Sequence, residues 1–398
     1  MHPLHLSHYT ATSCIGTGLA AMRDHLRGGR GGLAPCAFET VNLTTWIGEV
    51  PGVDDVDLPA SLTEFNCRNN RLAWLGLRQD GFLEAVRRTA NRYGAARVAV
   101  ILGTSTAGIL ETELAYRRRD PDSGALPDDY SYRGTQNVYS VAEFVRRAAG
   151  LRGPAAVVSS ACSSSAKVFA TAARMLETGV IDAAVVGGVD SLCLTTLYGF
   201  NSLEVLSPEA CRPFDVARRG ISIGEAAAFA LLEREPDAAA EHVVKLLGYG
   251  ESSDAHHMSS PHPEGRGARQ AMEAALLRAG LAPEDIDYIN LHGTGTHGND
   301  AAEGRAVLDL FGGKTPASST KGATGHTLGA AGGLEAVICA LALCDGIAPA
   351  STGTLTPDPA IPINLVRAPT ETPLRFVLSN SFGFGGTNAS LILGRGDA

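Results

Sequence analysis

The sequence is short of charge, and the charge it carries is not basic. Only 19% of its 398 residues are Asp, Glu, Lys or Arg, and the formal net charge is -9. That balance argues against a general nucleic-acid binder, although a local basic patch can still receive an acidic partner. The eight cysteines form no CxxC pair and no metal-ligand spacing, and the histidines lack an HExxH context, so no metal site is expected. A chain of this size needs no disulfide staples, and scattered cysteines indicate a reducing compartment. The N-terminus lacks a basic region followed by an apolar stretch, so no signal peptide is expected. No apolar run reaches membrane-spanning length; residues 336–344 are short and follow Glu335. The expectation is a cytoplasmic, soluble protein with neither a membrane nor a nucleic-acid partner.

What is present is a chain long enough to bury a sizeable core in about two domains. A hydrophobic content of 44% with 46 glycines describes a compact globular protein. The stretch VVSSACSSSA at 157–166 organises the rest. A short apolar run enters it, small residues fill its centre, and an alanine-rich amphipathic pattern leaves over 167–177. That pattern predicts a buried strand, a sharp turn and a helix, with Gly179 placed to end the helix. Cys162 then sits at a helix N-terminus, where unpaired N–H groups and the dipole favour a thiolate. Taken alone, the same residue also fits a buried, inert thiol.

Residues 5–12 read as an opening strand, 18–26 as a helix and 28–32 as a glycine loop. Residues 61–93 look helical, with Arg68 and Arg71 on one face; spacing by itself favours a solvated helix surface there. The strand 97–102 runs into GTSTAG, which has neither the GxGxxG spacing nor a P-loop lysine. A charged excursion over 117–135, a helix over 138–149, and strands at 183–189 and 226–232 complete a first half. Pro236 and residues 237–241 mark the boundary, giving halves 1–238 and 239–398. The second half opens with a strand at 243–249 and a helix at 266–280. The strand 287–291 ends in HGTGT, and a helix begins near Ala301. A turn at 319–326 precedes an alanine-rich helix to Leu343. The strand 376–378 enters SFGFGGTN, and 389–393 form a final strand.

Each half alternates strands with long helices, which predicts partly parallel sheets covered on both faces. Both halves end in a strand pair, suggesting a structural duplication that residue identity does not show. Four segments share one form, an apolar element flanking a Gly/Ser/Thr turn that carries a reactive residue. They supply Cys162, His292, Lys321 with His326, and the GFGG turn. A thiolate can accept an acyl group as a thioester, two imidazoles can hold one enolate oxygen, and backbone N–H groups can hold a tetrahedral oxyanion.

VSSACSSS, NLHGTGTHGND, STKGATGHTLGAAGG and SNSFGFGGTN, in this order and separation, resemble the elongating β-ketoacyl-acyl-carrier-protein synthases. GYGESSDAHHMSSPHPEG and CRPFDVARRG extend the likeness over nearly everything from about residue 95. The resemblance implies a thiolase-like α/β fold, duplicated, with five layers α-β-α-β-α, in a dimer of identical chains or of paralogues. It also implies decarboxylative condensation of an enzyme-bound acyl group with malonyl-acyl-carrier protein, with no cofactor. By position, Cys162 resembles the acylated nucleophile, and His292 and His326 the pair that binds the malonyl carbonyl. Lys321 resembles the lysine that, with Glu303, orders the site. Phe384 resembles the gate whose N–H joins that of Cys162 in the oxyanion hole. Thr294 and Thr296 correspond to pantetheine-binding residues, and Thr106, Phe200 and Phe382 to the acyl pocket. Arg68 and Arg71 match a basic pair that docks the acidic carrier protein. Cys-His-His favours elongation over a thiolase, which uses a second cysteine. The presence of Cys162 favours it over a non-catalytic chain-length partner.

Overall fold

The computed structural model describes residues 1–235 and 244–396, so the boundary segment at Pro236 and 237–241 lies outside the described residues. Ten strands carry the core. They are β1 (Leu4–Ser13), β2 (Val98–Gly103), β3 (Ala155–Val158), β4 (Ala183–Asp190) and β5 (Ala226–Glu233), then β6 (Val244–Ser253), β7 (Tyr288–Asn290), β8 (Pro316–Ser318), β9 (Phe376–Gly383) and β10 (Thr387–Arg395). The first five are ordered β3-β2-β4-β5-β1 and the second five β8-β7-β9-β10-β6. In each set the first three strands are parallel and the last three alternate antiparallel. The two halves therefore repeat one topology strand for strand, which is the duplication that the paired terminal strands suggested. β1 and β6 join them antiparallel through Leu4–Leu246, His5–Lys245 and Leu6–Val244.

Seven helices complete the layers: α1 (Arg68–Leu77), α2 (Phe82–Tyr93), α3 (Ser140–Ala148), α4 (Ser164–Glu177), α5 (Arg266–Ala279), α6 (His297–Phe311) and α7 (Ala331–Asp345). The period-two rule for strands distributes them. On β2, Val98, Val100 and Leu102 pack with Leu72, Phe82 and Phe144 of α1, α2 and α3. Its alternate residues Ala99 and Ile101 share a cluster with Phe169 of α4 and Ala340 of α7, which also takes in Tyr288, Val377 and Leu391 of the second sheet. Met272 of α5 and Val307 of α6 cover the outer face of that sheet at Ile289, Leu378 and Ile392. The result is five layers with α4 and α7 in the middle. Sheets covered on both faces explain why the strands read as continuous apolar runs.

Two local expectations change. The helical pattern over 61–93 is interrupted, because Asp80 and Gly81 adopt left-handed φ of 54° and 66°. The Asp80 carboxylate there accepts from Thr10 Oγ1 and the Leu19 N–H. The apolar stretch before Cys344 is also longer than it looks. Leu328–Asp345 is the one helical segment among the described residues that is long and apolar enough to cross a membrane, yet 89% of it is buried within the protein. It forms the middle layer, so its hydrophobicity is that of a core helix.

Candidate active site

The four reactive turns all leave the C-terminal ends of parallel strands, where such sheets place their sites. After β3 the chain makes an elbow at Ala161, whose φ of 52° is left-handed. The Ser160 N–H donates to Ser164 Oγ at 2.8 Å, while Ser164 Oγ donates to the Ala161 carbonyl at 2.5 Å. Gly103 makes room for this elbow, since a Cβ there would lie 2.4 Å from the Ser165 nitrogen. After β7, the His292 and Gly293 N–H groups each donate to the Glu303 carboxylate of α6 at 2.7 Å. After β8, the His326 N–H donates to the Ser222 carbonyl at 2.7 Å, and the His326 carbonyl accepts from the Gly224 N–H at 3.0 Å. After β9 comes the turn that carries Phe384.

These turns converge. His326 Nε2 lies 3.0 Å from Cys162 Sγ, and the His292 and His326 rings meet edge-on with centroids 5.3 Å apart. Lys321 Nζ donates to the His292 carbonyl at 2.6 Å, approaches His292 Nδ1 at 3.3 Å, and pairs with the Glu335 carboxylate. An ammonium has only donors, so Nδ1 of His292 is the acceptor and its ring proton sits on Nε2. His326 Nδ1, by contrast, is buried with no protein partner among the described residues. One imidazole is therefore fixed in its tautomer and the other is free to change. Burial, with help from the Lys321 charge, holds both histidines well below their ordinary pKa, so both are neutral.

Burial pushes the Cys162 thiol up to about 11, although Lys321 and the Phe384 N–H favour the thiolate. The helix start alone does not ionise it, because α4 begins two residues later and desolvation outweighs the dipole. Alkylation of free Cys162 by iodoacetamide is expected to climb steadily from pH 7 towards pH 10 without a plateau, as the thiolate population grows. A plateau below pH 8 would restore the helix-end account. Burial also raises Glu303 to about 7, opposed by the Gly293 and His292 N–H groups.

Donor atoms of Cys162, His292 and His326 lie within 4.8 Å of one another, a spacing that a metal ion could bridge. The chemistry argues against it, because Nε2 of His292 carries a proton and the Lys321 charge stands behind the ring. A face of N–H donors suits a developing oxyanion. The three residues open into a cavity lined by Phe200, Phe382 and Phe384 together with Thr294, Thr296 and Asn299. Phe200 and Phe384 pack ring against ring at 5.7 Å.

The structure brings Cys162, His292, Lys321, His326, Glu303, Phe384, Phe382, Phe200, Thr294 and Thr296 together; it adds one pairing and corrects two expectations. First, Lys321 pairs with Glu335 of α7, while Glu303 braces the His292 turn from below. The signal for Glu335 was a lone acid inside an apolar helix, which is rarely buried unless paired. Second, Thr106 does not line the cavity; its hydroxyl donates to Asp190 at 2.9 Å. Third, Arg68 is neither a solvated helix face nor a docking residue. It is 1% exposed, paired with Glu225 at 2.7 Å and with Asp54 at 2.5 Å. Arg71 is held by Asp54 and Asn66 at 3.1 Å each. Because Arg68→Ala would strand the fully buried Glu225, it is expected to destabilise the fold by about 3–5 kcal/mol. Carrier-protein KM is expected to stay within twofold, a result that denaturant melts and steady-state kinetics together check.

A duplicated thiolase-like fold with a cysteine and two neutral histidines between its halves defines a condensing enzyme. Comparison with known proteins narrows the class. The N-terminal domain of beta-ketoacyl synthases matches residues 70–238, and the C-terminal domain matches 243–354. Nodulation protein E of Rhizobium meliloti (strain 1021) is 36% identical over 77% of this chain and 79% of its own length. 3-Oxoacyl-(acyl-carrier-protein) synthase 2 of Coxiella burnetii is 33% identical over 96% of each. A chain from the complex of the ketosynthase ApeO with its chain length factor ApeC, from Xenorhabdus doucetiae, superposes with a TM-score of 0.87. It is 40% identical, with 99% of this chain and 98% of that chain covered. The chain belongs to the β-ketoacyl synthase family. It is an acyltransferase that elongates an acyl chain by Claisen condensation, and the reading as a non-catalytic chain length partner is not favoured.

Proposed function

We propose that Cys162 carries the growing acyl chain and that His292 and His326 together activate malonyl-acyl-carrier protein. The observation that supports this reading best is the 3.0 Å approach of His326 Nε2 to Cys162 Sγ beside a second imidazole with a fixed Nε2–H. In the first step Sγ attacks the acyl thioester while its proton passes to His326. The N–H groups of Cys162 and Phe384 hold the oxyanion, and the carrier thiol leaves with the proton. In the second, Nε2–H groups of both histidines hold the malonyl thioester carbonyl. The carboxylate leaves as carbon dioxide, and its bonding pair becomes an enolate. The enolate carbon then attacks the acyl-Cys162 carbonyl and expels the thiolate. His326 must accept a proton at Nε2 in one step and donate from it in the next, which its unpartnered Nδ1 permits.

Glu303 and the Lys321–Glu335 pair order the two imidazoles. Thr294 and Thr296, whose hydroxyls lie 2.9 Å apart in the cavity wall, hold the pantetheine arm. Phe200, Phe382 and Phe384 accept an apolar fatty-acid, polyketide or polyene chain. The acidic carrier protein docks elsewhere than at Arg68, which is buried. β3 supports a dimer: it is a sheet edge of Ala155, Ala156, Val157 and Val158, with Ala156 exposed and the others half buried, and it has no outer strand partner among the described residues. The second chain is an identical copy or a paralogue, in the way that ApeO is found in complex with its chain length factor ApeC. The division into 1–238 and 239–398 is supported by the repeated strand order of the described residues on either side. A reducing cytoplasm suits the eight cysteines, all free thiols. The test is incubation with acyl- and malonyl-carrier protein across chain lengths, read by product mass. A product two carbons longer with release of carbon dioxide is expected, and no condensation with any acyl donor would overturn the reading.

A further inference from the structure

Among the described residues, none holds Nδ1 of His326. Its ring direction therefore depends on its backbone and on its contacts with Cys162 and His292. On one side that backbone is tied to Ser222 and Gly224. On the other side the chain turns at Leu328, a branched residue with a left-handed φ of 51°, and is caught at Gly329 by a carboxylate from the other half of the molecule. That carboxylate is Asp190, at the end of β4 and fully buried.

Asp190 accepts an unusual number of hydrogen bonds. Oδ1 receives Thr104 Oγ1 at 2.6 Å, the Ser105 N–H at 2.8 Å, and the Thr106 N–H and hydroxyl at 2.9 Å. Oδ2 receives Ser105 Oγ and the Gly329 N–H, both at 2.5 Å. The approach at Gly329 leaves no room for a side chain, since a Cβ would stand 2.7 Å from Oδ2. One carboxylate thus clamps the ends of β2 and β4 to the turn three residues beyond His326. An amide cannot replace it. Both oxygens take backbone N–H groups, so whichever way an asparagine faces, its NH2 meets a donor that cannot rotate away.

We propose that Asp190 is a positioning residue for His326, holding the Leu328–Gly329 turn so that Nε2 addresses Cys162 and the malonyl carbonyl without a partner at Nδ1. This rests on the role given to His326 above. The experiment compares Asp190→Asn, Ser105→Ala and His326→Ala with the double variant Asp190→Asn/His326→Ala. It reads malonyl-carrier decarboxylation, the pH profile of Cys162 alkylation, and thermal midpoints. Asp190→Asn is expected to lower decarboxylation at least thirtyfold with malonyl-carrier KM within threefold. Its alkylation profile should shift from that of wild type towards that of His326→Ala. Ser105→Ala removes one of the six bonds and is expected to fold and to lose three- to tenfold. In the His326→Ala background, Asp190→Asn should have no further effect on decarboxylation, because there is no imidazole left to misplace. Equal losses in both backgrounds would mean that Asp190 merely supports the fold, and that result overturns the proposal. So does Ser105→Ala with decarboxylation within twofold of wild type, which keeps the test decisive should Asp190→Asn fail to fold. Wild-type decarboxylation unchanged by His326→Ala would instead sink the role of His326 itself, and the alkylation profiles would still report on the clamp.

Discussion

Cys162→Ala is expected to abolish acyl transfer and condensation, by at least about a thousandfold, while malonyl-carrier decarboxylation remains measurable. The argument rests on how the site is divided. Cys162 Sγ is the one thiol among the described residues that line the cavity, whereas the donors proposed for the malonyl carbonyl, His292 and His326, stand on separate turns of the other half. The Lys321 charge and the bracing carboxylates reach those imidazoles without passing through the sulfur. Removing Sγ therefore deletes the acyl carrier and leaves the enolate-stabilising pair standing. The readouts are intact-protein mass after incubation with acyl donor and carbon dioxide release from malonyl-carrier protein. A persistent acyl adduct in the variant, or full condensation, would end the nucleophile assignment.

The second large effect falls on Lys321→Ala. Lys321 is 1% exposed and does three things at once: it neutralises Glu335, donates to the His292 carbonyl, and fixes the His292 tautomer. Removing a buried partner from an ion pair typically destabilises by about 3–5 kcal/mol. Loss of a preoriented donor to a developing oxyanion typically slows a reaction by about 10²–10³-fold. Both are expected here, the second as a fall in decarboxylation, because His292 without Lys321 can place its proton on either nitrogen. The pH dependence has a definite sign. Burial raises the Glu335 carboxyl to about 7 in the folded protein, and Lys321 pulls it downward. A raised carboxyl makes the folded state the better proton binder, so stability falls as pH rises from the ordinary carboxylate range through the folded value. Without Lys321 the folded value moves higher still. The variant should therefore lose more stability relative to wild type at pH 8 than at pH 5, as thermal melts at the two pH values check. Equal losses at both, with decarboxylation within threefold, would remove Lys321 from its ordering role.

Much of the site was legible because its parts are local. A cysteine between small residues at a strand-to-helix elbow, a histidine in a glycine turn after a strand, and a GFGG turn after another are each written within about ten consecutive residues. Side-chain size and turn chemistry fix such geometry over short spans. The helix over 61–93 failed at Asp80 because the deciding bonds come from Thr10 and Leu19, 70 and 61 residues away. The resemblance pointed to Lys321 and Glu303 but not to Glu335 of α7, which pairs with Lys321.

By itself, then, the sequence marked out the groups of the site: a cysteine, two histidines, a lysine and a GFGG turn on successive turns of a two-part α/β chain. Only the tertiary structure decided how those groups are charged and whom they face. Arg68 became an internal cation because α1 packs over Glu225, and Thr106 turned from the cavity to Asp190. Cys162 stays a thiol because burial outweighs a helix end. Charge state and partner choice depend on desolvation and on which distant elements come within a few ångströms. Residue spacing along the chain carries neither quantity, so they appear only when segments far apart in sequence, within one half or across both, pack together.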